Sequence, residues 1–267
     1  MNGMIRRLMP ERFRRVSQLL SARRRGARAH RLVLSECGPA AQPTPAANPL
    51  EAYFDQHRDG AGIWKWRHYF SMYHRHLGKF VGRRPHVMEI GVYSGGSLGM
   101  WREYFGPGAS IYGVDVEPAC KAYEDESTRI FIGDQADRAF WGRVRREVPT
   151  LDVVIDDGGH QPHQQIATLE ETLAHLRPGG VYICEDIQGS ANPFSFYLEG
   201  LAGNLHADHI VGEDDGERRQ VSRATPFQAA VGSVHVYPYA VVIERTDAPV
   251  AELVAPKHGT QWQPFLK

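Results

Sequence analysis

The chain has 267 residues, 42% of them hydrophobic, enough to bury one substantial core with a small segment to spare. Lys and Arg total 31, as do Asp and Glu, so the zero net charge gives nucleic acid no support as a partner. The three cysteines, Cys37, Cys120 and Cys184, are widely spaced and form no CxxC, which argues against a disulfide framework and a thiolate metal site and leaves Cys184 as a small core residue.

The charge is unevenly placed. Residues 1–31 carry ten arginines against one acid, Glu11, so this arm is +9 and the remainder is −9. Its expected state is a solvated, disordered tail, and residues 38–49 (GPAAQPTPAANP) read as a Pro/Ala linker that cannot sustain a helix. No secretory signal and no apolar run of about 20 residues stands out, so a soluble, cytoplasmic protein without a membrane span is expected.

Residues 50–84 form the next segment, with Tyr53, Phe54, Ile63, Trp64, Trp66, Tyr69, Phe70, Tyr73 and Leu77 largely at helical spacing around a break at Asp59–Gly62. Two short helices packing on the following domain are predicted. An exposed aromatic face there would also offer a contact surface for a homo-oligomer.

From residue 85 to 246 the rhythm changes. Short β-branched runs at 86–90, 110–115, 129–132, 151–156 and 180–184 are mostly separated by segments of helical length. That pattern predicts an α/β fold with a doubly wound, mostly parallel sheet and helices on both faces. A helix over 164–176 turns through Pro178-Gly179-Gly180 into the fifth strand, and 233–237 with 239–245 read as an antiparallel edge hairpin split at Pro238. Residues 187–232 lie where a substrate lid would sit, with Asn192, Phe194, Phe196 and Tyr197, and with Glu213-Asp214-Asp215 as a solvated loop. Residues 247–267 are left as a tail.

Ligands of such sheets bind beyond the carboxyl ends of the strands, and those positions are unusually acidic here: Glu89, Asp115, Asp134, Asp156-Asp157 and Glu185-Asp186. The first strand runs into a glycine turn, Glu89-Ile90-Gly91-Val92-Tyr93-Ser94-Gly95, where a ligand can approach the backbone closely. Tyr93 stands where a G-x-G-x-x-G fingerprint needs glycine, so the turn suits a cofactor without pyrophosphate. Asp115 suits a ribose diol, and Asp134 with Gln135 an adenine. Acids clustered at one sheet edge repel unless a cation compensates, so Asp157, Glu185 and Asp186 are candidate ligands of Mg²⁺ or another hard divalent cation, with positions left for substrate hydroxyls. His160, three residues beyond Asp157, is the candidate general base, with His163 as a rival.

At these residues the sequence resembles the class I S-adenosylmethionine-dependent methyltransferases, and within them a group that includes macrolide-sugar O-methyltransferases of the mycinamicin VI type; relatives of the cephalosporin hydroxylase family look similar. The resemblance rests on MEIGVYSGGSLGMW (88–101), VDVE (114–117), GDQAD (133–137), IDDGGH (155–160), LRPGGVYICED (176–186) and VHVYPYAVVIER (234–245), and spans about residues 50–246. It implies an S-adenosylmethionine domain in which Glu89, Gly91, Ser94, Gly95, Asp115, Asp134, Gln135 and Asp156 surround the cofactor. It also implies Asp157, Glu185 and Asp186 on the metal, His160 as base, and a small-molecule hydroxyl as acceptor. Gly159 departs from the serine more usual in the macrolide-sugar enzymes, so the same acceptor is not implied. Two other readings are an iron-dependent hydroxylase on the same scaffold, disfavoured by the all-oxygen acidic cluster, and a cofactor-binding protein without catalysis.

Overall fold

The computed structural model describes residues 11–29, 48–189, 191–207, 210–214, 219–256 and 258–259. The chain divides into two units, residues 1–47 and 48–267. In the first, Glu11–Arg28 is a helix, α1, where the arm was expected to be disordered. Arginine, leucine, glutamine and alanine dominate it, all good helix formers, and Arg25 and Arg28 lie in the last turn, where cations favour the helix dipole. Residues 1–10 and 30–47, with most of the Pro/Ala linker, lie outside the described residues.

The second unit opens with α2 (Pro49–Gln56), whose first turn is fixed by Asn48: its side chain accepts from Leu50 N (3.1 Å) and donates to Phe70 O (2.8 Å) on α3 (Arg67–Leu77). Helix α3 buries Tyr69, Phe70, Met72, Tyr73, His76 and Leu77, so its rings face inward and the homo-oligomer expectation loses the exposed aromatic helix on which it rested. Ile63, Trp64 and Trp66 are not helical. They lie in the segment between α2 and α3, where Trp64 is exposed, Lys65 buried and Trp66 half-exposed, the alternation of an extended chain.

Next come β1 (His86–Ile90), α4 (Gly96–Phe105), β2 (Ser110–Asp115), β3 (Thr128–Ile132), α5 (Arg138–Glu147), β4 (Leu151–Asp156), α6 (Pro162–Thr172) and β5 (Leu176–Cys184). The chain continues through α7 (Pro193–Gly203), β6 (Ile210–Asp214), β7 (Arg219–Arg223), α8 (Pro226–Ala230), β8 (Val231–Tyr237), β9 (Ala240–Arg245) and β10 (Glu252–Pro256). A seven-stranded sheet has the order β3-β2-β1-β4-β5-β9-β8, with β1 to β5 parallel and the predicted hairpin, β8 and β9, antiparallel at the edge. This is the doubly wound, Rossmann-like fold of class I methyltransferases.

Two differences concern the fifth strand. Helix α6 ends at Thr172, and β5 already begins at Leu176, so Pro178-Gly179-Gly180 is not the turn into the strand. It forms a bulge inside it: the pairing steps from Leu151↔Leu176 to Val153↔Val181. The predicted lid and tail also differ, since β6, β7 and β10 make a separate three-stranded antiparallel sheet. Phe194 is fully buried in the core, and Asn192 caps α7 by accepting from Phe194 N (2.8 Å), so neither acts as a mobile wall. Of the acidic stretch, Glu213 and Asp214 belong to β6 and Asp215 lies outside the described residues.

Strand alternation sorts the core into two layers. Val87, Ile111, Val153, Ile155, Val181 and Ile183 pack with Leu50, Phe70, Tyr73 and Trp101 from α2 to α4. Met88, Ile90, Val154, Tyr182 and Cys184 pack with Phe140, Trp141, Leu169 and Phe194 from α5 to α7. The same period of two decides where strand-end acids point: Glu89 and Glu185 share the parity of the first layer, and Asp156 that of the second.

Gly91 shows how tightly the strand ends are joined. Its φ is +90°, its N–H donates to Val114 O (2.8 Å), and an added Cβ would overlap the carbonyl oxygen of Asp157. Gly91→Ala is therefore expected to cost about 2 kcal/mol or more, combining left-handed strain with a backbone clash. A urea denaturation midpoint equal to that of the parent would show that the turn relaxes freely.

Candidate functional site

A cleft of about 780 Å³ opens at the carboxyl ends of β1, β2, β4 and β5, roofed by residues 62–66. Its volume suits a nucleoside-sized ligand with a second small molecule. Gly91, Ser94, Asp115, Gln135, Asp157, His160, Glu185 and Asp186 line it, so the structure gathers most of the residues selected from the sequence.

On the glycine-turn side, Asp115 organises the loop. Its Oδ2 accepts from Val92 N (2.9 Å) and Tyr93 N (3.0 Å), and its Oδ1 from Glu117 N (2.9 Å). Such bonds orient the carboxylate at the cleft wall and leave lone pairs for hydroxyl donors. Gln135 is more fully committed: Nε2 donates to Asp156 Oδ1 (3.0 Å) and Thr168 Oγ1 (2.9 Å), and Oε1 accepts from Gly159 N (2.8 Å). It braces the loop after β3 against the loop after β4.

Four selected residues do not line the cleft. Asp134 is exposed and closes a local turn by accepting from Ala136 N (2.8 Å). Gly95 lies against the Tyr123 ring. Asp156, taken from sequence as a cofactor contact, points by strand parity into the second core layer, where it accepts from Gln135 and from Tyr182 OH (3.2 Å). Burial pushes its carboxyl up to about 7 against the pull of Gln135. Glu89 is buried beneath the glycine turn and accepts from Ser97 Oγ (2.6 Å). The rival histidine, His163, is exposed and also outside the cleft.

Beneath the roof is a buried ionic cluster. Lys65 Nζ stands 2.6 Å from Asp157 Oδ2, 3.2 Å from Glu185 Oε2 and 3.3 Å from Glu89 Oε1. Tyr73 OH donates to Glu185 Oε1 (2.6 Å). Burial alone disfavours the ammonium, but the three carboxylates outweigh it and hold the Lys65 pKa well above its usual value. Burial raises Glu185 and Glu89 in turn, with Lys65 pulling both back.

Farther out, Asp186 Oδ1 accepts from Tyr69 OH (2.8 Å) and Trp66 Nε1 (3.0 Å), leaving Oδ2 facing His160 Nε2 at 3.9 Å. Asp157 Oδ1 faces the same nitrogen at 4.0 Å. His160 and Asp186 both take positive φ, 55° and 52°, and His160 Nδ1 is buried without a hydrogen-bond partner among the described residues. Asp157, His160 and Asp186 thus present ligand atoms within 4.8 Å of one another, a donor set that fits a divalent cation. One histidine is not the pair that a 2-His-1-carboxylate iron site needs. Glu185, selected as the third ligand, is held behind this set by Lys65 and Tyr73.

Lys65, Trp66, Tyr69 and Tyr73 bond the cleft acids, a placement that the aromatic packing expected of residues 50–84 did not include. A lysine flanked by two tryptophans in a short extended segment was the available signal. Its partners, 92 and 120 residues away, carry no local trace.

Comparison with known proteins shows that the chain belongs to the methyltransferases. Residues 88–187 match a family model described as a methyltransferase domain. Mycinamicin VI 2''-O-methyltransferase of Micromonospora griseorubida is 32% identical over 204 residues, covering 73% of this chain and 47% of that protein. The 8-demethyl-8-alpha-L-rhamnosyl tetracenomycin-C 2'-O-methyltransferase of Streptomyces olivaceus is 29% identical over 208 residues, covering 70% and 53%. The chain spans about half the length of these curated relatives. A solved structure of the MycE methyltransferase from the mycinamycin biosynthetic pathway, in complex with Mg and SAH, superposes with a TM-score of 0.60 at 25% identity, covering 76% of this chain and 55% of that one.

Two outcomes are expected. Lys65→Met leaves buried acids without their counter-charge and should cost about 3 kcal/mol, part of which Mg²⁺ restores; urea denaturation with and without Mg²⁺ measures both, and a loss below about 1 kcal/mol would remove Lys65 from its central place. Asp156 gives a pH signature. Its folded carboxyl titrates near 7, while the unfolded one titrates near 4, so the stability it contributes is full below about pH 4 and lost as pH rises through 7. Asp156→Asn should therefore gain on the parent between about pH 4 and 7. A difference in denaturation midpoint that stays constant with pH would contradict the buried titration.

Proposed function

From a chain that carries a methyltransferase domain on a class I methyltransferase sheet, we propose a metal-assisted transfer of a methyl group from S-adenosylmethionine to a hydroxyl of a small molecule, such as a sugar of a glycosylated natural product. The observation that carries this reading is one cleft with two chemically different ends: a glycine turn held by Asp115, and an acid-imidazole pocket formed by Asp157, His160 and Asp186.

Gly91, Ser94, Asp115 and the wall near Gln135 receive the cofactor, with Asp115 accepting from its ribose hydroxyls. Asp134, Gly95, Glu89 and Asp156 act from behind the wall, by closing turns and carrying Gln135 and Ser97. Asp157 and Asp186 supply the carboxylate oxygens that would hold Mg²⁺ beside His160, and Glu185, the third acid selected, stands behind them and shares Lys65 with Asp157. The metal, when bound, makes an adjacent hydroxyl more acidic. His160 takes the proton from the acceptor hydroxyl; the oxygen then forms its bond to the methyl carbon as the carbon–sulfur bond breaks, and the electron pair goes to sulfur, giving S-adenosylhomocysteine. Trp64 and Trp66 offer faces at the roof for an acceptor to stack on. No helix among the described residues is long and apolar enough to cross a membrane, and a small-molecule acceptor suits the size of this cleft.

Titration calorimetry with S-adenosylmethionine and S-adenosylhomocysteine, with and without Mg²⁺, tests the reading without the acceptor. Binding in the micromolar range, about −8 kcal/mol, is expected. A folded sample that binds neither compound would overturn it.

A further inference from the structure

At the C-terminal end of α3, three potential ligands converge at the β8–β9 edge of the sheet. His76, buried on α3, meets Glu244 on β9 through Nδ1 to Oε1 (3.1 Å), and His235 on β8 meets the same carboxylate through Nε2 to Oε2 (3.4 Å). The ligand atoms of all three lie within 4.8 Å of one another, and the two imidazole centroids are 4.7 Å apart. We propose that His76, His235 and Glu244 form a second cation site, distinct from the acidic cleft, that takes a borderline transition-metal ion, Zn²⁺ by preference.

The donor set and spacing carry the assignment. Two imidazoles and a carboxylate are ligands that zinc favours and that magnesium, which prefers an octahedral oxygen shell, does not. Around a tetrahedral zinc with bonds near 2.1 Å, neighbouring ligand atoms lie about 3.4 Å apart; here the two imidazole nitrogens stand 3.1 and 3.4 Å from the two separate oxygens of Glu244, so the carboxylate already lies between both rings. The supporting shell is also present. Tyr237 OH lies 2.8 Å from His76 Nε2, so with Nδ1 on the metal, Nε2–H donates to the phenol oxygen and fixes the tautomer. Ser233 Oγ is 2.9 Å from His235 Nε2 and donates to Glu244 Oε2 (3.1 Å), an oxygen at the edge of the donor set. Lys79 is the opposing charge, 3.6 Å from Glu244 Oε1. It is partly exposed and can turn to solvent when the cation enters.

The position gives the ion a structural task. Tyr69, Tyr73 and His76 lie at i, i+4 and i+7 of α3, on one helix face. A metal on His76 pins that helix to the β8–β9 edge, while Tyr69 and Tyr73 hold the cleft acids Asp186 and Glu185.

The test is Zn²⁺ calorimetry on the full chain, stripped of metal by a chelator and held in excess Mg²⁺ to occupy the acidic cleft. One equivalent is expected to bind, raising the thermal midpoint. His235→Ala and Glu244→Gln should each lose more affinity than the roughly 10- to 100-fold that removal of a mere supporting group costs, while Asp157→Asn retains the binding. Should His235→Ala fail to fold, the near-isosteric Glu244→Gln carries the comparison. A folded parent that binds no Zn²⁺, or zinc binding abolished by Asp157→Asn and untouched by Glu244→Gln, would overturn the site.

Discussion

The ammonium of Lys65 buried among Glu89, Asp157 and Glu185 is the interaction on which the remaining cleft geometry rests. Glu89 and Glu185 have left water and Asp157 has done so in part, and desolvation of an unpaired carboxylate costs several kcal/mol even after relaxation. One lysine meets all three, and it comes from the segment between α2 and α3 that roofs the cleft. Roof and floor are therefore joined by charge at Lys65 as well as by packing, since Ile63 lies on the core while Trp64 remains exposed. The ammonium also shares Asp157 with the outer pocket, where a divalent ion would compete for the same carboxylate. Filling that pocket and holding the roof are thus opposed unless Asp157 serves both through its two oxygens, as its orientation allows: Oδ2 to Lys65, Oδ1 to the side of His160.

Strand alternation then decides which acids take part. Glu89 and Glu185 extend the rows of Val87, Val181 and Ile183 on the α2–α4 face, so both reach Lys65. Asp156 extends the row of Val154 on the opposite face and is spent on Gln135 and Tyr182. The parallel strands, the glycine turn, the edge hairpin and the strand-end acids were legible in the sequence because each is a local pattern. The sorting of those acids was also latent there, since a period of two separates Asp156 from Asp157, yet selecting every acid at a strand end passed over it. Lys65 was not legible in this way. Its partners lie at separations that local periodicity does not report, and a buried lysine is unusual enough that its aromatic neighbours dominate any reading of the segment. The small sheet was hidden for a related reason: β10 comes from the tail and pairs with the polar strand β7 across about thirty residues of chain.

The glycines of the turn after β4 explain a departure that the sequence left unresolved. At Gly159, where the family resemblance implied a serine, an added Cβ would overlap the amide of Gln164, and Gly159 N–H is already given to Gln135. Gln164 in turn accepts from Gln161 N (3.2 Å), closing the box that starts α6. A serine side chain at 159 therefore requires Gln164 to swing away and release its cap. The glycine and the glutamine form a matched pair: the missing side chain makes room for an amide at the mouth of the cleft, next to His160. At that mouth the chain sets the carboxamide of Gln164 beside His160, while the acids and the glycine turn below keep the positions that the sheet imposes on them.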